Sequence, residues 1–191
     1  RNYDYAQAGA YFVTLCEHER ECLFGEISLG GPMQYSMAGE IVAEQWLWLE
    51  EHFVQVELDA WQVMPNHFHG ILLLMDRDTL GVRRKPLGQL IGAFKTTSAK
   101  RINQLRGTPG APVRQRDFFE HVIRGPHSLE RIRRYIELNP SRWANDRMIR
   151  TGVVGNDGQG RVATRPYRCA WHGVWRPGIS CSAHRPCGRG S

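Results

Sequence analysis

Residues 62–74 read QVMPNHFHGILLL, and this stretch decides how the middle of the chain folds. Its apolar end is far shorter than the ~20 residues of a membrane-spanning helix, and its length suits a buried strand. The preceding Pro65-Asn66 pair favours a tight connection. We therefore predict two strands joined here, one over 54–64 and the next over 67–75.

The N-terminal part of the chain shows one strand pattern and one helix pattern. Residues 10–16, AYFVTLC, are β-branched and aromatic and predict a strand. Glycine and proline over 25–32 predict a loop. Apolar residues then recur at helical spacing over 37–53, which predicts an amphipathic helix.

The C-terminal part repeats these patterns. Apolar positions three and four apart predict a second long helix from Leu87 to Leu105, and DFFEHVIR predicts a strand over 117–124. A third helix is predicted after Ser128 as its N-cap, and it must weaken near Asn139 because a proline follows.

The resulting order is β-α-β-β-α-β-α. Two right-handed β-α-β halves joined by a hairpin predict an α+β fold, a ferredoxin-like antiparallel sheet with two helices packed on one face. The third helix is additional. Residues 1–150 form the predicted domain, whereas 151–191 are rich in Gly, Pro and Arg and are expected to be a disordered tail.

The net charge and the number of cysteines indicate which kind of partner and which cellular compartment to expect. The net charge of +6 over 191 residues favours a polyanionic partner, most commonly nucleic acid. The odd number of cysteines, five, argues against a disulfide framework and indicates a reducing cytoplasm, and no membrane segment is visible. Two ligand pairs at x₂ spacing lie in the tail and are either a zinc knuckle or chance: Cys169 with His172, and Cys181 with His184, with Cys187 beyond.

His67 and His69 stand two residues apart on a predicted strand, so their side chains point to the same face. Two neighbouring imidazoles can form two corners of a divalent-metal site. Alternatively, one histidine packs while the other caps the turn after Pro65.

Tyr135 and Asn139 are four residues apart and share one face of the third helix. The tyrosine could cover the edge of the core, and the asparagine could simply end the helix. Several arginines surround this pair, however, and a phenol in such a setting is well placed to meet a phosphate. These arginines are Arg131, Arg133, Arg134 and Arg142.

Several separated segments resemble one family, the single-tyrosine HUH transposases and specifically their REP-associated kind. The likeness covers residues 3 to about 147, and its motifs occur in the expected order. The segments are YDYAQAGAYFVTLCEHERECLFGEI, VMPNHFHGILLL, GAFKTTSAKRINQLRGTPGAPVRQRDFFEHVIR and LERIRRYIELNPSRWAND. The tail after residue 150 matches nothing in this family.

The resemblance implies a ferredoxin-like sheet and a role for each site residue. His67 and His69 correspond to the family's paired histidines and Asn139 to its third ligand, together holding Mg²⁺ or Mn²⁺. Tyr135 corresponds to the nucleophile. The chain departs from the family at Phe118 and Phe119, where relatives often carry tyrosines, and this favours Tyr135 as the attacking phenol.

The implied function is that of a metal-dependent endonuclease and strand-transferase acting in DNA transposition. It would nick and rejoin single-stranded DNA near hairpins through a 5′-phosphotyrosine, acting as a monomer or a homodimer. The expected DNA contacts are Lys95, Lys100, Arg101, Arg131 and Arg134. Two alternatives are a DNA-hairpin-binding protein that has lost transposition or cleavage, and a small RNA-binding domain, for which the third strand offers only Phe68 as an aromatic platform.

Overall fold

A four-stranded antiparallel sheet forms the centre of the computed structural model, which describes residues 5, 7–28, 31–76 and 85–145. Its strand order is 4-5-1-6 when the strands are numbered along the chain, which is the ferredoxin-like arrangement. The strands are β1 (Gly9–Cys16), β2 (Gly25–Ile27), β3 (Met33–Tyr35), β4 (Val56–Met64), β5 (His67–Leu74) and β6 (Phe119–Ile123). The helices are α1 (Met37–His52), α2 (Leu87–Arg106) and α3 (Pro126–Leu138), and a 3₁₀ helix follows at Pro140–Asn145. The predicted α+β fold is confirmed.

Two local predictions were wrong. The predicted loop over 25–32 contains β2, which pairs with β3 in a separate two-stranded sheet. The helix α3 begins at Pro126, with Gly125 as its N-cap, so Ser128 lies inside the first turn and does not cap it. Proline is favoured at the first helical position because its fixed φ suits the helix and its missing N–H would have had no partner there.

The tail predicted over 151–191, including the two Cys/His pairs, lies outside the described residues. Within the residues that are described, no helix has the length and apolar character needed to cross a lipid bilayer.

One face of the sheet packs against α1 and α2 and forms the main apolar core. The odd-numbered residues of β1 and the even-numbered residues of β5 point to this face. They meet the buried stripes of the two helices, which explains the helical spacing seen in the sequence. The largest side chains here are Tyr11, Phe24, Trp46, Phe68 and Phe94.

Gly70 allows this core to pack closely. A Cβ atom at this position would lie 2.6 Å from Cζ2 of Trp46 and 2.8 Å from Cε1 of Phe68. Such distances are shorter than van der Waals contact, so a side chain at residue 70 would displace the indole from the sheet. The glycine of the sequence HFHG therefore belongs to the core face.

The opposite face of the sheet packs against α3 and is much less apolar. Its buried hydrophobic residues are Phe12, Ile71, Ile123, Ile132 and Ile136. Because side chains alternate along β5, the neighbours of Phe68 in sequence, His67 and His69, point to this second face.

A β-bulge in β4 holds α3 against the second face. The register of β4 with β5 shifts by one residue between Leu58 and Trp61. Two consecutive residues, Asp59 and Ala60, consequently lie on the face of the sheet that packs against α3. The Asp59 carboxylate accepts two hydrogen bonds from the Arg133 guanidinium, at 2.8 Å from Nε and 2.5 Å from Nη2. This bidentate pair connects α3 to an edge strand of the sheet.

Candidate functional site

His67 and His69 form a contact pair on the α3 face. Their Nε2 atoms lie 3.0 Å apart, and their ring centroids are separated by 4.6 Å. The two side chains are 0% and 1% exposed, so the pair lies beneath other groups. The strand alternation that predicted a shared face is what brings the two imidazoles together.

Each imidazole is held by a second polar side chain through its Nδ1 atom. Asn66 Oδ1 lies 2.8 Å from Nδ1 of His67, and Thr14 Oγ1 lies 2.8 Å from Nδ1 of His69. Thr14 is the cross-strand neighbour of His69 in the pairing of β1 with β5. Both Nε2 atoms are consequently directed away from these anchors and towards each other.

Burial keeps both imidazoles neutral. Desolvation, followed by the neighbouring His69 and by Arg20, lowers the pKa of His67 well below its ordinary value of 6.5. Desolvation alone lowers the pKa of His69 to about 3. A neutral imidazole has a ring lone pair available, which is the form that binds a metal.

Tyr135 approaches the histidine pair from α3. Its phenolic oxygen lies 3.4 Å from Nε2 of His69, at the long end of hydrogen-bonding distance, and the two ring centroids are 5.2 Å apart. Phe12 packs against both rings, stacked on His69 at 5.5 Å and edge-on to Tyr135 at 6.1 Å. The phenol is half-buried, so its oxygen lies at the boundary between the site and solvent.

Asn139 lies one helical turn beyond Tyr135 and both ends the helix and buries its side chain. It is the C-cap residue of α3, with its backbone N–H donating to the carbonyl of Ile136. Its side chain is 4% exposed, and its Nδ2 has no hydrogen-bond partner among the described residues. A buried amide N–H left in this state costs about 1–3 kcal/mol, and a hydrogen-bond acceptor such as a phosphate oxygen is the kind of group that could satisfy it.

Trp143, in the 3₁₀ helix, covers His67, with ring centroids 6.0 Å apart and planes tilted by 34°. In the structure this indole therefore packs on the imidazole.

The donor set fits a divalent cation. Adjacent ligands of an octahedral ion with bonds of about 2.1 Å lie about 3.0 Å apart, and the two Nε2 atoms are separated by 3.0 Å. No cluster of three or more His, Cys, Asp or Glu side chains with metal-binding geometry occurs in the described part of the chain. A third ligand from these residues would therefore be an amide or hydroxyl oxygen, and the side-chain oxygen of Asn139 is a group of that type.

The basic residues fall on two opposite sides of the sheet. Arg131 is exposed and Arg134 half-buried, both on α3 and on the side of the histidine pair. The other predicted DNA contacts lie on α2, which packs on the opposite face. There the Lys95 ammonium donates to the carbonyls of Gln115 and Arg116, Arg101 pairs with Glu44 at 2.6 Å, and Lys100 is exposed.

Three residues of this site were missed by sequence reasoning. Asn66 had a signal, because it directly precedes His67 in the quoted stretch and has an amide that can face an imidazole. Thr14 and Phe12 alternate within an apolar strand, and only the pairing of β1 with β5 identifies them as neighbours of the histidines.

The class of protein that fold and site define is a ferredoxin-like α+β domain in which a buried histidine pair meets a tyrosine-bearing helix. No protein-family model matches the chain. The chain belongs to the family of an uncharacterized protein of Haemophilus influenzae, to which it is 31% identical over 167 residues, covering 78% of this chain and 89% of that protein.

A solved structure of a REP-associated tyrosine transposase bound to a REP hairpin is also similar. It matches with a TM-score of 0.55 and 19% identity, over 75% of this chain and 72% of that chain. This similarity shows that the two proteins share the fold.

Proposed function

We propose that this chain is a single-tyrosine HUH transposase of the REP-associated kind, which nicks and rejoins single-stranded DNA beside a hairpin. The observation that carries the proposal is the approach of the Tyr135 phenolic oxygen to within 3.4 Å of Nε2 of His69, itself 3.0 Å from Nε2 of His67. A nucleophile and two neutral ring nitrogens thus share one small volume. The shared fold and the hairpin bound by the similar transposase support the choice of substrate.

Tyr135 would be the nucleophile. Its oxygen forms a bond to the scissile phosphorus, and the bond from phosphorus to the 3′ oxygen breaks. The phenol loses its proton, and the departing 3′ oxygen gains one. The products are a 5′-phosphotyrosine and a free 3′-OH, and a later attack by a DNA 3′-OH reseals the strand, so that phosphodiester energy is retained.

His67, His69 and Asn139 would hold Mg²⁺ or Mn²⁺ at this place. When bound, the ion supplies neutralisation of the charge that develops on the scissile phosphate. Phe12 packs against the rings of both His69 and Tyr135 and so helps to fix their relative orientation. The hydrogen bonds of Asn66 and Thr14 to the Nδ1 atoms keep both Nε2 atoms directed towards the shared volume. Arg131 and Arg134 would contact the DNA backbone next to the nucleophile.

The deciding experiment is incubation of labelled hairpin-bearing single-stranded DNA with the protein and Mn²⁺, followed by denaturing electrophoresis. The wild-type protein should form a covalent adduct, and Tyr135→Phe should abolish it with nearly unchanged DNA affinity. Tyr35→Phe is the matched control, because this phenol is exposed on β3, and its adduct should equal that of the wild type.

An adduct that persists in Tyr135→Phe would refute the nucleophile. Hairpin binding without any adduct in the wild type would instead indicate a DNA-hairpin-binding protein without cleavage activity. The same sequence as a full duplex should not be nicked, because a stiff duplex cannot bend into a site bordered by a helix and a sheet. Equal nicking of both substrates would indicate a conventional duplex nuclease.

A further inference from the structure

We infer that a surface cavity at the edge of β6 binds a backbone phosphate of the single-stranded DNA, close to the phosphate that is cleaved. This inference rests on the proposed function and extends it, because it states along which edge of the sheet the strand runs. The cavity has a volume of about 640 Å³. Its lining includes three groups that can carry positive charge, His121, Arg124 and Arg131, and the hydroxyl group of Ser128.

The cavity adjoins the candidate site through α3 and β1. Arg131 and Tyr135 are four residues apart on α3, about 6 Å along its axis, so their side chains share a face of the helix. On the sheet, His121 is the cross-strand neighbour of Phe12, whose ring packs edge-on against Tyr135. A strand with one phosphate at Tyr135 can therefore place a nearby phosphate in the cavity.

The edge of β6 separates two sides of the cavity that differ in charge. His121 lies opposite Phe12 and so points to the α3 face, whereas Glu120 lies opposite Val13 and points to the α1/α2 face. The carboxylate and the imidazole in the lining are therefore on different sides of the strand. The side that continues towards Tyr135 is the one with the imidazole.

The α3 side of the cavity has a positive potential. Partial desolvation, followed by the charges of Arg131 and then Arg124, lowers the pKa of His121 below its ordinary value of 6.5. The two guanidinium groups thus disfavour a further positive charge at the imidazole. An anion in the cavity would offset the repulsion between these groups, whereas a cation or a neutral group would not.

A phosphate matches the donors of this cavity. A guanidinium group presents N–H donors in a planar fork that fits two oxygens of a phosphate, and a hydroxyl or an imidazole N–H can donate to another. Arg124 and Arg131 are both exposed, so a DNA strand can reach them without a rearrangement of the fold. At the other edge of the sheet, the charge of Arg133 is already paired with Asp59. The strand should therefore leave the site along β6 and not along β4.

The test is a binding assay that examines one phosphate at a time. Hairpin-bearing single-stranded DNAs, each with one neutral methylphosphonate linkage, are titrated with the protein in EDTA, and affinity is measured by fluorescence anisotropy. In the wild type, one or two linkages in the single-stranded segment next to the hairpin should weaken binding most. Arg124→Gln should weaken binding of the unmodified DNA about 10-fold. It should add little to the loss that those linkages cause, because the two changes remove the same contact.

Two matched variants separate charge from structure. Arg106→Gln removes an exposed arginine from the last turn of α2, and its small effect should add to that of every linkage. Glu120→Gln removes the carboxylate from the cavity lining, and this variant should bind the unmodified DNA at least as tightly as the wild type does. Opposite signs for Glu120→Gln and Arg124→Gln are expected only if the cavity binds an anion.

Two results would overturn the inference while the proposed function stands, provided that the wild type still forms the covalent adduct. One is a loss in Arg124→Gln that adds fully to the loss at every linkage, which would mean that this guanidinium contacts no particular phosphate. The other is weaker DNA binding by Glu120→Gln, which would mean that the lining residues act through structure and not through charge. A wild type that binds no hairpin DNA would overturn the proposed function together with the inference.

Discussion

The two faces of the central sheet are built from the same strands but differ sharply in what they bury. The α1/α2 face contains a continuous apolar core with Trp46, Phe68 and Phe94 in mutual ring contact. The α3 face buries fewer hydrophobic residues and several polar side chains, among them His67 and His69. A single strand, β5, contributes to both because its side chains alternate.

This difference indicates a division of roles. Burial of large apolar side chains is the main favourable contribution to the free energy of folding. Most of the buried apolar side chains lie on the α1/α2 face. The α3 face can therefore hold polar groups that reduce stability but are available for chemistry. Adjacent residues of β5 therefore have different roles: Phe68 stabilises the fold, whereas His67 and His69 form the candidate site.

The largest expected effect is on the α1/α2 face. Phe68→Ala removes a fully buried ring between Trp46 and Phe94, and we expect the free energy of unfolding to fall by about 3–5 kcal/mol. The matched variant on the α3 face is Phe119→Ala, where the ring is only half-buried and the loss should be clearly smaller. Urea unfolding of both proteins measures this, and equal losses would contradict the proposed division of roles.

An intermediate effect is expected at the connection between α3 and β4. Asp59→Asn weakens the bidentate bond to Arg133, and we expect a loss of about 1–2 kcal/mol near pH 7 together with reduced adduct formation by Tyr135. Glu130→Gln is the control, because Oε2 of Glu130 lies 3.7 Å from Nη1 of Arg133 and the Glu130 side chain is 75% exposed. Removal of the Glu130 charge should therefore change the free energy of unfolding very little.

Acid titration sharpens this prediction. The hydrogen bonds from Arg133 lower the pKa of Asp59 from its ordinary value of 3.8 in the folded protein. In acid, the unfolded chain therefore binds more protons than the folded protein does. The stabilisation that this bond provides is present at pH values above the pKa of Asp59 in the unfolded chain. It is lost as the pH falls through the lower pKa that Asp59 has in the folded protein. Below about pH 4, the wild type should therefore lose more stability than Asp59→Asn; parallel curves would show that the bond contributes nothing.

The smallest expected effect concerns DNA affinity. If the substrate lies along the α3 face, Arg131→Ala and Arg134→Ala should each lower the slope of log affinity against log salt by about one. Lys100→Ala and Arg101→Ala on the opposite face should lower it less, and Arg101 already has Glu44 as a partner. Equal changes on the two helices would mean that the DNA contacts both sides of the sheet, as the sequence had led us to expect.

The sequence contained enough information for the main elements and their order. Strand and helix periods are local properties, so the strand ending in Leu74 and the helix ending near Arg106 could be predicted within a residue or two. The strands β2 and β3 were missed because each has three residues, too few to show a period. The shared face of His67 and His69 also followed from local alternation.

The remaining features of the site depend on contacts between distant residues. Thr14 and His69 are 55 residues apart in the chain, and Asp59 and Arg133 are 74 apart. No local pattern encodes these pairings, because they arise from strand register and from the way in which α3 packs. The burial of the histidine pair could not be predicted for the same reason, since Trp143 reaches it from a segment beyond α3.

The bulge at Asp59 and Ala60 divides β4 into two segments that are out of phase by one residue. Val56 and Leu58 point to the α1/α2 core in the first segment, and Trp61 and Val63 do so in the second. Deletion of a single residue between them would remove the bulge and restore a regular strand, in which Leu58 and Trp61 would stand two positions apart and both would still point to the core. The additional residue therefore matters for the other face, because it lets both Asp59 and Ala60 lie opposite α3 without turning Trp61 or Val63 away from the core.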